Sequence, residues 1–115
     1  MTIKCDEYNG VCVLSIDGDF SGEAGAAVRR CARERIEQRQ AVEFIVDLEK
    51  SGFVDSGALE TLLWLKRCCE EVSGRVKIAA ADENCRKILE ITRLAQRFDC
   101  HHTVESALKA MRGAA

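Results

Sequence analysis

Phe44-Ile45-Val46-Asp47-Leu48-Glu49-Lys50-Ser51-Gly52-Phe53-Val54-Asp55-Ser56-Gly57-Ala58-Leu59-Glu60-Thr61-Leu62-Leu63-Trp64-Leu65 changes character in its middle. Val42 to Leu48 is a short apolar run rich in β-branched and aromatic side chains, which predicts a buried strand. From Ala58 onward, Ala58, Leu62, Leu65, Cys69 and Val72 recur at helical spacing, which predicts an amphipathic helix with that stripe inward. Between the two lies a loop with Ser51, Gly52, Asp55, Ser56 and Gly57.

Ser56 or Asp55 is placed to cap the helix, because a side-chain oxygen just before a helix can accept one of its unpaired amides. A hydroxyl at that point is exposed, fixed in position and close to the positive end of the helix dipole. A phosphate there would add about −1.5 to −2 of charge beside Asp55 and still be tolerated by the helix. On spacing alone, a plain capping role is the commoner reading. The outer side of the helix carries Glu60, Trp64, Arg67 and Glu71 at spacings of three and four. Trp64 either presents a binding surface or packs partly buried against a neighbouring helix.

Outward in both directions the chain alternates. Ile3 to Glu7 and Val11 to Ile16 flank Asn9-Gly10, a hairpin with a type I′ turn. The second arm is the more apolar and is expected to be the more buried. Gly18 to Gly22 is a turn in which Ser21 or Asp19 caps a helix over about residues 23–38. Ala24, Val28, Cys31 and Ile36 form its core stripe, and Arg29, Arg30, Arg33, Glu34, Arg35 and Glu37 a solvated charged face. Gly74 closes the central helix. Val76 to Ala81 is a strand. Asp82 to Asn84 caps a short helix with Ile88, Leu89 and Ile91 inward, broken at Thr92-Arg93-Leu94. Gln96 to His101 is a weak or edge strand. Thr103 caps a last helix, and the chain frays from Arg112. The order β-β-α-β-α-β-α-β-α implies an α/β fold: an opening hairpin, a mixed but mostly parallel sheet of about five strands, and four helices. Residues 1–112 form a single domain and 113–115 a frayed tail.

Composition bounds the function. A chain of 115 residues makes one domain and buries roughly two-thirds of its unfolded surface, enough for a core without staples. With 47% hydrophobic and 31% charged residues it has the balance of a globular protein, and no apolar run is long enough to span a membrane. The N-terminus has no apolar signal core, so a cytoplasmic location is the default. A net charge of −2 and 5% aromatic residues argue against nucleic acid. The seven cysteines, at 5, 12, 31, 68, 69, 85 and 100, show neither Cys-x-x-Cys nor zinc spacing. They read as small core hydrophobes in a reducing compartment, with one of the adjacent Cys68-Cys69 pair facing out.

No reaction chemistry emerges. Ser56 does not sit in a Gly-x-Ser-x-Gly elbow, and the only histidines, His101 and His102, are neighbours that point to opposite faces of a strand. Neither a phosphate-binding glycine loop nor a dinucleotide fingerprint is present. A phospho-acceptor aspartate at Asp47 would need an acidic cluster after the first strand, and Asp17 and Asp19 fall in the following turn. No enzyme activity, no cofactor and no metal are expected.

The residues carry a further pattern. Asp47-Leu48 followed by Phe53-Val54-Asp55-Ser56-Gly57-Ala58-Leu59 resembles the signature of the STAS domain, in the form found in anti-sigma factor antagonists. Gly57 and Ala58 stand where that family more often has Ser and Gly; both remain small, so the tight turn survives. Val-Leu-Ser-Ile-Asp-Gly-Asp-Phe (residues 13–20), Cys85 to Leu94, Phe98 and Thr103 to Leu108 fit the rest of the family pattern in order, with Arg93 where Gly is common. The resemblance covers nearly the whole chain. It implies a STAS-like fold and Ser56 as a phosphorylation site. It also implies an anti-sigma factor serine kinase as protein partner, bound by the unphosphorylated form, with a PP2C-type phosphatase opposing it. Asp47, Asp55, Ser56, Gly57, Glu60, Trp64 and Arg67 would form the partner-binding surface. The resemblance also admits a regulatory subunit of a membrane transporter or lipid-transport ATPase that is not phosphorylated, and a sensory scaffold domain. Oligomeric state is not legible.

Overall fold

In the computed structural model, residues 2–38 and 41–113 are described. Five strands and four helices follow the expected order: β1 Thr2–Tyr8, β2 Val11–Asp17, α1 Gly22–Glu37, β3 Glu43–Asp47, α2 Ser56–Glu71, β4 Arg75–Ala79, α3 Glu83–Ile91, β5 Asp99–His101 and α4 Val104–Gly113. A short 3₁₀ turn, Leu94–Gln96, intervenes before β5. The sheet order is β1-β2-β3-β4-β5; β1 is antiparallel to β2 and all other pairs are parallel. Asn9 and Gly10 both take positive φ, 51° and 82°, as a type I′ hairpin requires.

The period of two along β2 and β3 sorts the core into two layers. Cys12, Leu14, Ile16, Phe44, Val46 and Ile78 face α1, α2 and α3, and meet Val28, Leu62, Leu65, Cys69 and Leu89. Val11, Val13, Ile45 and Ala79 face the other way onto Ala107 and Met111 of α4. Both faces of β2 and β3 are therefore covered, which explains their near-continuous apolar sequence.

Several local expectations change. Ile91, expected inward, is 81% exposed: α3 ends there, and Arg93 takes a left-handed φ of 64° to turn the chain. An arginine thus adopts the conformation glycine usually supplies. Val72 is also exposed, at the C-cap of α2, where Ser73 (φ 60°) rather than Gly74 takes the left-handed position. The last helix runs to Gly113, and Ala114 and Ala115 of the expected tail lie outside the described residues. Among the cysteines, Cys12, Cys69 and Cys85 are buried as expected, but Cys100 is exposed, and the sulfurs of Cys5 and Cys31 face each other between β1 and α1. Cys5 lies on the side of β1 that α1 covers, and it and Cys31 pack partly buried against the core there. No described helix is long and apolar enough to cross a membrane.

Candidate functional site

Two loops at the carboxyl ends of β2 and β3 lie side by side and fix the starts of two helices. The Gly18 amide donates to the Lys50 carbonyl (3.0 Å), Phe20 to Phe53 (2.9 Å) and Asp55 to Phe20 (3.1 Å). Buried Ser51 donates its hydroxyl to the Ile16 carbonyl at 3.0 Å, and the Ser51 carbonyl accepts from the Cys85 thiol at 3.4 Å. Backbone groups of the loop are thus tied to β2, α3 and the 18–20 segment.

Asp55 is the N-cap of α2. Its Oδ1 accepts from the Ala58 amide at 2.8 Å. Its Oδ2 accepts from the amide of Gly22, the first residue of α1, at 3.2 Å. One carboxylate therefore serves the positive ends of two helices. Ser21 caps α1 itself, accepting from Ala24. Of the two cap candidates at each helix start, Asp55 and Ser21 take the role.

Ser56 is thereby left free. It is the first residue of α2, exposed, and its hydroxyl has no hydrogen-bond partner among the described residues. Of the two serines in the loop, Ser51 is 2% exposed and committed, and Ser56 is open. Gly57 does not face outward in the same way. A Cβ at position 57 would lie 2.8 Å from Gly22 Cα and 3.4 Å from Asp55 Oδ1. The close crossing of α1 and α2 thus requires glycine here, where the family pattern more often has serine. One turn on, buried Thr61 packs against Gly25 and donates to the Gly57 carbonyl at 3.1 Å.

The other expected surface residues divide. Glu60 and Arg67 are exposed on α2. Trp64 is half-buried against α1, with the Arg29 and Arg33 guanidiniums 5.4 and 5.3 Å from its ring centre. Asp47 does not join them. It ends β3 on the α4 side of the sheet, accepts from Ser15 Oγ (3.1 Å) and the Glu49 amide (3.0 Å), and lines an open cavity of about 730 Å³ with Asp6, Glu49, His102 and Glu105. Its position on a face away from α2 follows from strand alternation: Ile45 and Asp47 share one face, Val46 and Leu48 the other.

Two features escaped the sequence reading. Phe53, three residues before Ser56, is 50% exposed and places an aromatic ring on the surface of this loop. Its signal was an aromatic inside a polar loop. The stacking of α1 arginines on Trp64 joins residues from two helices and had no local signal. No described group of histidine, cysteine and carboxylate side chains is arranged to hold a metal. Burial pushes the thiols up, to about 11 for Cys12 and about 12 for Cys69 and Cys85, so these cysteines offer no nucleophile at neutral pH.

Comparison with known proteins agrees with this architecture. The anti-sigma factor antagonist SpoIIAA in its unphosphorylated form superposes with a TM-score of 0.78 at 22% identity, covering 97% of this chain and 99% of that one. The Bacillus cell fate determinant SpoIIAA in the phosphorylated form gives the same score at 21% identity, covering 96% and 99%. An anti-sigma factor antagonist from Mycobacterium paratuberculosis gives 0.84 at 22%, covering 96% and 93%. A sulfate transporter family protein from Wolinella succinogenes gives 0.81 at 13%, covering 91% and 87%. These identities speak to the fold alone. No curated protein matches the chain. The STAS domain family model matches residues 2–107, and with that span matched, this chain belongs to the STAS domain family.

Proposed function

We propose that this protein is an anti-sigma factor antagonist: a non-enzymatic binding switch that, unphosphorylated, engages an anti-sigma factor serine kinase and so frees a sigma factor. Ser56 is the acceptor of that kinase, and a PP2C-type phosphatase resets it. The observation that carries the reading is the state of Ser56. Its hydroxyl is exposed and unbonded at the first turn of α2, on a loop held rigid by Asp55 and Ser51. The docking surface comprises Phe53, Ser56, Glu60 and the outer face of α2.

The switch works by charge and desolvation. A phosphate on Ser56 sits near the positive ends of α1 and α2, so the fold accepts it. A partner packed over the same spot must instead bury roughly two negative charges next to Asp55 and Glu60, which costs binding energy. About 2.7 kcal/mol of lost affinity weakens a complex a hundredfold. Incubation with the cognate kinase and ATP, followed by mass mapping, tests the assignment. Phosphate on Ser56 and none on Ser56→Ala is expected; equal labelling of Ser56→Ala would sink it.

The likeness to a sulfate transporter family protein supports a second reading, a regulatory domain docked on a membrane transporter. Stable co-purification with membranes, unaffected by Ser56→Asp, would favour it over the switch.

A further inference from the structure

At the outer seam between α1 and α2, two arginines of α1 that the Ser56 switch does not use join the outer face of α2. Arg29 and Arg33 are one turn apart on α1 and both lie over Trp64 of α2. Burial pushes the Cys68 thiol up, Glu71 adds to this, and Arg33, Arg67 and Arg29 pull against it. Arg67 and Cys68 follow Trp64 at spacings of three and four along α2, on the same side of the helix. Among the described residues none of the three arginines forms an ion pair or a hydrogen bond, although Glu60 and Glu71 share this side of α2. Like charges one helical turn apart oppose each other, so Arg29 and Arg33 are not placed to stabilise α1 by themselves. A guanidinium held over an indole keeps its charge and can still offer N–H donors to a carboxylate.

We propose that this seam is a docking surface for an acidic segment of a protein partner, whose carboxylates pair with Arg29, Arg33 and Arg67 over Trp64. The choice of occupant rests on charge complementarity: two guanidiniums held over an indole, with exposed Arg67 one turn further along α2, match spaced carboxylates. Arginine and tryptophan are also the residues most enriched where binding energy concentrates. The inference deepens the reading of α2 as the docking helix, but its test does not pass through Ser56.

Trp64 is the only tryptophan of the chain and reports directly on the seam. Titration of the full chain with an octaglutamate peptide at low ionic strength, followed by tryptophan fluorescence, should give a saturable change. Raising the salt should weaken it. Arg29→Gln/Arg33→Gln should weaken binding at least about tenfold, and Arg67→Gln, which leaves the stack intact, by less. Arg29→Lys/Arg33→Lys keeps the charge but loses the planar fork, and should restore only part of the affinity. Circular dichroism checks that each variant is folded. The proposal is overturned if octaglutamate leaves the fluorescence unchanged, if octalysine acts equally well, if inorganic phosphate at equal charge matches the peptide, or if the folded glutamine variant binds as wild type. Loss of Ser56 phosphorylation without loss of peptide binding would count against the switch and leave the seam standing.

Discussion

At the scale of single residues, the site is decided by which side chains are already committed. Asp55 accepts from two helix starts, so Asp55→Ala should cost about 1–2 kcal/mol, read as a fall in Tm of several degrees. A loss no larger than that of an exposed surface change would contradict the double role. Gly57 faces the Gly22 backbone. Gly57→Ser, which brings in the residue more usual in the family, should therefore destabilise the chain by about 1–3 kcal/mol; an unchanged urea midpoint would refute the close crossing. The sequence narrowed the α2 cap to Asp55 or Ser56 and could go no further. Both residues cap helices well, and only the path of the backbone decides which oxygen reaches the Ala58 amide. Gly57 read as a merely small residue, because its constraint comes from a different helix.

At the scale of elements, α2 begins where a phosphate is tolerated. Ser56→Asp should leave Tm within about a few degrees of wild type, since a carboxylate in the first turn interacts favourably with the helix dipole. A collapse of Tm would mean that any loss of partner binding reflects unfolding. On the far edge, the buried Lys77 ammonium bonds Asp99 at 2.9 Å. That hydrogen bond, and then the charge of Lys77, hold the Asp99 carboxyl below the ordinary aspartate value of 3.8. A depressed carboxyl stabilises the fold fully above the unfolded value, and the contribution is lost as pH falls through the folded one. Acidification below 3.8 should therefore cost wild type about 0.5 kcal/mol more than Asp99→Asn, a small effect because Asp99 is largely exposed. Equal acid sensitivity in urea titrations would remove the pair from the account. Strands and helices were legible because their apolar periods are strong. Ile91 was misplaced because its helical period continues past the turn that Arg93 makes. The 3₁₀ turn before β5 has too few residues to show a period.

At the scale of the whole molecule, both faces of β2 and β3 are covered by helices, and three thiols are sealed inside. Cys12, Cys69 and Cys85 should resist alkylation at neutral pH and react only in denaturant, as residue-by-residue mass mapping would show; rapid labelling in the native state would contradict the packing described. The β-β-α-β-α-β-α-β-α order made the fold readable, since an opening hairpin followed by alternation leaves few sheet topologies. The site was readable only in part. Ser56 and its loop follow from local sequence, whereas the displacement of Asp47 to the α4 side and the stacking on Trp64 depend on how distant elements meet. The proposed switch requires that charge at Ser56 control docking. Isothermal titration of the cognate serine kinase with unphosphorylated chain and with chain phosphorylated at Ser56 measures this directly. Tight binding of the first and at least about hundredfold weaker binding of the second is expected; equal affinities would contradict it.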